Sequence, residues 1–343
     1  MKKRIKFSAL IALALVGGNA IAGNPQRAGS SGASELMINP WARSAGWGGV
    51  NVAGAKGLDA TFVNIAGIAN TERTDIAFSN SQWLVGSDIS INSFGFAQKA
   101  GSNGVLSANV TIMDYGDIEK TTEANPDGGI GYFSPSTAIF GLSYSQRFTE
   151  SILGGVNVKV FSQSGQDLSA SAVCFDAGVQ YITGEEKQLK FGVTLKNVGP
   201  SATYKGDGKT VNLVVPTGGY SQNYEEKSAS FELPALLALG GSYDFNFTDQ
   251  RLTMAASFQS NSFEKDIITV GAEYGIKEMV FIHAGYNQLI GDDDGVETTA
   301  FSGLSAGLGL NVALGESKLL IDYSYRATNT FEGTHSIGVG FRL

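Results

Sequence analysis

From residue 73 onward the chain repeats one pattern: segments of about ten residues in which apolar side chains alternate with polar or small ones. "LKFGVTLK" puts Leu189, Phe191, Val193 and Leu195 on one face, and Lys190, Gly192, Thr194 and Lys196 on the other. "VCFDAGVQY" sets Val173, Phe175, Ala177, Val179 and Tyr181 against Cys174, Asp176, Gly178 and Gln180, and "LTMAASFQ", "IITVGAEYG" and "LLIDYSYR" behave alike. A period of two is a strand with one apolar face. Soluble sandwiches alternate too, but their strands run about five or six residues. These segments approach the nine to eleven that a tilted strand needs to cross a bilayer. Tyr144, Tyr181, Tyr274, Tyr286 and Tyr325 fall late on the apolar faces, where interfacial aromatic girdles belong.

About fourteen such segments are expected, near 73–83, 86–98, 103–114, 136–148, 151–163, 169–183, 187–198, 234–246, 250–260, 266–275, 278–288, 301–313, 317–327 and 334–343. An even count suits a bacterial barrel. The even-numbered connections are short: "AGSN", "TE", "GEE", "FTDQ", "IKE" and "GES". The long ones, 115–135, 199–233 and 289–300, are all odd-numbered. Membrane barrels have short turns at one rim and longer loops at the other, so connection parity supports the strand count independently. The expected fold is all-β: a transmembrane antiparallel outer-membrane β-barrel with one domain over residues 73–343.

The final stretch, "THSIGVGFRL", keeps the alternation to Leu343, with Ile337, Val339, Phe341 and Leu343 on the lipid-facing side. A barrel lacks free edges only if its last strand pairs with its first, which requires a strand there. A terminal strand with an aromatic, Phe341, near the carboxylate also resembles the signal read by barrel-assembly machinery.

The beginning of the chain points to export. Lys2, Lys3, Arg4 and Lys6 precede the apolar run "FSALIALALVGG", and small residues at Ala20 and Ala22 suit cleavage before Gly23. Residues 1–22 are therefore expected to be a signal peptide. Its loss removes four positive charges and no negative ones, taking the formal charge from -8 to -12. An acidic exported chain is a poor nucleic-acid binder. Charged residues make up only 16% of the chain, against about a quarter in soluble domains. The single cysteine, Cys174, rules out an intramolecular disulfide. No later apolar stretch is long enough for a membrane helix.

Residues 23–72 break the strand pattern. Rich in Gly and Ala, with Trp41 and Trp47, they read as a small hatch tucked into the lumen, since small residues permit close backbone packing. Within them "ARSAGWGGVNVAGAKGLDATFVNIAGIA", Ala42 to Ala69, resembles the start of the PorV/PorQ family of Bacteroidetes outer-membrane proteins. The resemblance continues through "SNSQWL", "MDYGDIE", "GLSYSQRF", "LKNVGP", "LPALLALGGSYDF" and "THSIGVGFRL", and so covers nearly the whole mature chain. The family's Asn-Pro-Ala-Gly turn is here Asn64-Ile65-Ala66-Gly67, without its rigid proline. Trp41, Arg43, Trp47, Asn64 and Gly67 are the candidate hatch residues.

The resemblance implies a fold similar to the fourteen-stranded FadL fatty acid transporters and a role in type IX secretion. PorV-like members bind the C-terminal signal domain of cargo leaving the translocon and carry it to the surface attachment complex. PorQ-like members tether a component of that complex. Neither is an enzyme. The expected partners are therefore translocon and attachment-complex proteins, cargo C-terminal domains and outer-membrane lipid. A transporter of hydrophobic small molecules is the alternative that FadL-like architecture leaves open.

The residues themselves offer little chemistry. His283 and His335 are far apart, no nucleophile motif accompanies them, and metal-ligand spacing is missing, so no catalytic residue, metal or cofactor is expected. "GDDDG", Gly291 to Gly295, lacks the later ligands of a calcium loop and reads as an acidic loop tip. Lys159, Lys190, Lys196 and Arg326 share the inward faces with Asp176, Glu273 and Asp322. Mixed signs favour mutual pairing over a selective channel, for which a single-sign ring is expected. The longest connection, 199–233, carries Tyr204, Tyr220, Tyr224 and Phe231, the candidate partner-binding residues.

Overall fold

The structure, a computed structural model, describes residues 27, 29–215, 218–291 and 299–343. The expected signal peptide and residues 292–298 of the acidic loop lie outside the described residues. The chain enters the wall with β1 (Thr74–Trp83), β2 (Ile89–Ala100) and β3 (Gly104–Asp114). A small hairpin of β4 (Ile118–Glu119) and β5 (Tyr132–Phe133) precedes β6 (Ser136–Arg147), β7 (Ile152–Gly165), β8 (Leu168–Thr183) and β9 (Leu189–Val198). An excursion then forms β10 (Ala202–Thr203), β11 (Thr210–Val214), β12 (Ser221–Glu225) and β13 (Ser230–Phe231). The wall resumes with β14 (Leu236–Asn246), β15 (Gln250–Asn261), β16 (Ile267–Ile276) and β17 (Val280–Leu289). It ends with β18 (Phe301–Leu314), β19 (Ser317–Thr328) and β20 (Thr334–Arg342).

The long strands pair antiparallel in chain order, skipping the small hairpins, into a closed barrel of fourteen. β20 joins β1 from Asp75↔Arg342 to Gln82↔His335. Side chains reinforce that seam: Ser81 Oγ lies 2.7 Å from Ser336 Oγ, and Arg342 Nε donates to Asp75 Oδ1 at 3.1 Å. Most expected segments coincide with a wall strand to within a few residues. β2 starts three residues later than expected because 84–88 form a turn, with Leu84 at φ 50° and Asp88 at φ 59° and the Val85 N–H donated to Gly333.

The barrel is inside-out by the standards of a soluble protein. Leu142 is 64% exposed, Ile337 56% and Phe140 54%, while Ser79, Ser143, Thr194 and Ser324 are buried on the inward face. Water would not leave such a band bare, and lipid would. Among the described residues no helix is long and apolar enough to cross a membrane. Tyr144 and Tyr181 project outward near the short-turn rim, Tyr286 and Tyr325 near the long-loop rim.

Inside lies the segment before β1. Its turns are short: 3-10 helices at Ser34–Met37, Gly57–Asp59 and Ile65–Asn70, and single α-turns at Ala42–Gly46 and Ala60–Val63. Ile65–Asn70 packs against β6, β7 and β8, and Ala42–Gly46 against β18, β19 and β20 on another part of the wall. Trp41, Val50, Ile65 and Ile68 are buried, so the apolar core belongs largely to this inner segment.

Two outcomes check the membrane assignment. The protein extracted in detergent should migrate faster on gels unboiled than boiled, since a closed hydrogen-bonded barrel resists detergent unfolding. Val193→Arg, on the lipid face, should cost roughly 2–4 kcal/mol of folding stability in bilayers, measured by reversible denaturation, whereas Val193→Leu should be near neutral.

Candidate functional site

Two regions carry the polar chemistry: the seam between the inner segment and the wall, and the long-loop rim. At the seam Asn64 joins the inner segment to the wall. Its Nδ2 donates to the carbonyls of Val52 at 2.9 Å and Val179 at 3.1 Å, while its Oδ1 accepts the Ala66 N–H at 3.2 Å. The side chain thus caps its own 3-10 turn and ties that turn to β8. Gly67 sits where a Cβ would lie 2.1 Å from the Ala55 carbonyl oxygen. The wall makes the same concession at Gly285, whose Cβ would lie 2.1 Å from the Trp47 carbonyl oxygen. Trp41 donates its indole N–H to Thr61 at 2.8 Å, pinning one part of the inner segment to another.

Glu273 is the hub of a buried charge network. Its Oε2 accepts from Arg43 at 2.8 Å and from the Trp47 indole at 3.2 Å, and its Oε1 from Arg251 at 3.1 Å. Arg43 also reaches Asp322 at 3.6 Å and lies over the Phe281 ring at 4.1 Å. Asp59 lies beside it, where burial pushes the carboxyl up against the pull of Arg43. Arg251 continues to Glu278 at 2.8 Å. The structure therefore brings together Arg43, Trp47, Glu273 and Asp322, four expected site residues from an inner turn and two distant strands.

A second knot holds Lys159 to Asp176 at 2.8 Å, with Asn157 donating to the same carboxylate at 3.1 Å. Asn197, at φ 60° beside a break in the β8–β9 register, donates its backbone N–H to Asp176 at 2.8 Å and receives Lys159 on its side-chain oxygen. Lys190 pairs with Asp244, which also accepts from Thr253 at 2.8 Å. Lys196 and Arg326 are different: each rests on aromatic rings, Phe62 for Lys196, Phe301 and Trp83 for Arg326. Sequence reading missed Asp244, Arg251, Asn157 and Asn197. Asp244 and Arg251 were open to the alternation test, since both stand at inward positions flanking one short turn; Asn197 was not, because a register break hides its facing.

The inner segment separates two cavities. The one at the short-turn rim, about 610 Å³, is lined by charges including Lys190, Asp244, Arg251 and Glu273. The one at the long-loop rim, about 240 Å³, mixes aliphatic side chains such as Leu236 and Ile267 with polar ones such as Thr194, Ser257 and Gln259. Among the described residues no three His, Cys, Asp or Glu side chains converge as a metal site requires.

At the long-loop rim the four aromatic candidates divide. Tyr204 and Phe231 belong to the base: their rings are 5.3 Å apart, Tyr204 donates to Gln163, and Phe231 packs beside Leu36 and Phe161. The base is also stitched to the inner segment, with Ser31 bridged to Glu232 and the Gly32 N–H donated to Glu232 at 3.0 Å. Tyr224 instead stands on the ribbon of β11 and β12, and Tyr220 in the turn that joins the two strands. There Val211 faces Tyr224 across the pair, Leu213 faces Gln222, and both strands are exposed throughout. Exposure reaches 52% at Leu213 and 57% at Tyr220.

A closed fourteen-stranded antiparallel barrel with an apolar outer band and a segment folded into its lumen is the architecture of an outer-membrane β-barrel, and solved structures share that fold. The Pseudomonas putida toluene transporter TodX matches with a TM-score of 0.56 at 12% identity, over 89% of this chain and 97% of that one. The CymD monoaromatic hydrocarbon channel matches at 0.55 and 12%, over 89% and 96%. A Pseudomonas aeruginosa FadL homologue matches at 0.52 and 13%, over 87% and 96%. At such identity the likeness concerns the fold alone. Comparison with curated proteins gives no match. Residues 129–341, well over half of the chain, match the family of type IX secretion system membrane proteins PorP/SprF, and the chain belongs to that family.

The charge hub makes a quantitative prediction. Glu273→Gln removes the carboxylate that Arg43 and Arg251 share, leaving each its weaker or more exposed acid partner, and should lower stability by roughly 3 kcal/mol, as breaking one side of a buried pair does. Glu316→Gln breaks only the exposed pair with Arg73 and should cost under about 1 kcal/mol. Thermal unfolding of both variants in one detergent checks the contrast.

Proposed function

We propose that this chain is a non-enzymatic surface component of type IX secretion, exported by a cleaved signal peptide and inserted with its long loops facing outward. In this reading residues 23–72 act as a hatch that keeps the lumen shut, and the long-loop rim holds a secreted protein's C-terminal domain or a subunit of the attachment complex. The observation that carries it is the β11–β12 ribbon. It presents Val211, Leu213, Tyr220 and Tyr224 to water from a base anchored in the barrel. Exposed apolar residues on a free strand pair favour association, through side chains and through unpaired edge amides. Membership of the PorP/SprF family supplies the secretion context, and the PorV/PorQ resemblance of Ala42 to Ala69 points to the same system, as cargo shuttle or as anchor.

A FadL-like transporter of hydrophobic solutes is the second reading, favoured by the solved structures whose titles name toluene and monoaromatic hydrocarbons.

Excising 210–225 tests the choice, because Lys209 and Glu226 are already joined by a backbone hydrogen bond of 2.9 Å and a short turn can replace the ribbon. The shortened barrel should stay heat-modifiable, lose co-purification of its surface partner from native membranes, and leave cargo unattached. Normal cargo display by that strain would remove the ribbon from the function.

A further inference from the structure

The inner segment does not begin inside the barrel. Its first described residues form an arm across the base of the long-loop rim, and little holds them there. Arg27 pairs with Glu232 at 2.9 Å, but the two side chains are 45% and 57% exposed, and an exposed pair holds weakly. The Arg27 guanidinium also covers the Phe263 ring at 4.5 Å. Ser31 bridges Glu232 in parallel, and the Gly32 N–H donates to the Glu232 carbonyl at 3.0 Å. That backbone bond lays the arm beside the end of β13, which pairs with β10.

The hold changes at Ala33, where a φ of 55° turns the chain. Beyond it the contacts are buried ones. Leu36 packs with Phe161 and Leu233, and the Glu35 carboxylate accepts from Gln163 at 2.8 Å and from Tyr115. The arm is thus a loose end on a fixed root, and it covers an aromatic bed. Phe263 is only 4% exposed. Gly32 lies so close over Phe231 that a Cβ there would come within 2.4 Å of the ring. The bed has the parts of a peptide site: a backbone to pair with, a carboxylate for a cation, and a ring crossed by a residue without a side chain. Tethering supplies an effective concentration on the order of millimolar, so weak contacts suffice to keep the bed occupied from within.

We propose that this bed is a binding site for an extended, arginine-bearing peptide segment of the docking partner, and that the chain's own arm is its displaceable cover. The arm displays the ligand's chemistry in its own contacts: an arginine on Glu232 and Phe263, then a small residue passing over Phe231 in parallel pairing with Glu232. A partner segment that keeps these contacts and adds its own displaces the arm, which swings clear from Ala33 while the buried root stays in place. The proposal rests on the reading that a partner docks at the long-loop rim, but it puts that partner's peptide at the base rather than on the β11–β12 ribbon.

The test uses the full barrel in zwitterionic lipid nanodiscs and a fluorescein-labelled peptide copying residues 23–34, GNPQRAGSSGAS, with binding read by fluorescence anisotropy. Removing 23–32 uncovers the bed. The peptide should bind this shortened barrel at least about tenfold more tightly than the unmodified one, whose arm competes from within. Arg27→Gln in the peptide should weaken binding about fivefold, the scale of an exposed ion pair and a cation–π contact together. Glu232→Gln in the shortened barrel should shrink that difference. Gly32→Val in the unshortened chain is a second route, since the added side chain collides with Phe231 and lifts the arm. It should raise peptide binding likewise, and it decides the matter if the shortened barrel is no longer heat-modifiable. The proposal is overturned if the peptide binds the uncovered barrel no better than the covered one, if its Arg27→Gln form binds equally well, or if Glu232→Gln leaves their difference unchanged. Excising 210–225 leaves β10, β13 and the arm in place, so loss of cargo display there and failure of peptide binding here are separate results.

Discussion

In a bilayer core no water accepts the hydrogen bonds of an exposed strand edge, and each unmet N–H or C=O costs several kcal/mol. The β1–β20 seam is where that constraint is met. Eight residue pairs from Asp75↔Arg342 to Gln82↔His335 close the ladder, and the Arg342–Asp75 contact fastens its short-turn end. Everything else in the molecule is conditional on it. An open sheet of this length would have a lipid-exposed edge, no enclosed lumen, and no place for Trp41, Ile65 and Ile68 to be buried.

Closure creates a second problem, since a lumen must be filled or wet. The inner segment fills much of it, and the wall accepts the segment because its inward residues are small or polar. Contact is made backbone to wall, through Asn64 on β8 and through Trp47 against Gly285. It is also made charge to charge, through Arg43 on Glu273 and Asp322. Buried pairs of this sort give little net stability. What they give here is placement: Arg43 reaches Glu273 on β16 and Asp322 on β19 only when its helix turn sits against β18 and β19. The span matching the PorP/SprF family begins at residue 129, after this inner segment, so the hatch reading rests on the packing and on the resemblance of Ala42 to Ala69.

Strand count, facing and connection parity were legible because they depend on a local rule. A strand buried in lipid on one side and lumen on the other must alternate, whatever its neighbours are, and "LKFGVTLK" says so by itself. Asp176, Glu273, Lys159 and Lys190 could likewise be assigned to the lumen from parity alone. Their partners could not. The Arg43–Glu273 pair spans 230 positions, and nothing in either local pattern names the other.

The loop aromatics show the same division. Composition marked Tyr204, Tyr220, Tyr224 and Phe231 as one group, since all lie on one long polar connection. The fold separates them, because β10 and β13 pair at the base and carry Tyr204 and Phe231 against Gln163 and Phe161, while β11 and β12 extend beyond it. The sequence by itself determined a lipid-facing, fourteen-stranded barrel with a non-strand segment before it, because a period of two and the bilayer's thickness act residue by residue. Tertiary structure alone decided which buried cations are neutralised. Pairing requires two side chains to meet across the lumen: among the described residues Asp176 forms an ion pair with Lys159, while Lys196 and Arg326 rest on the faces of aromatic rings.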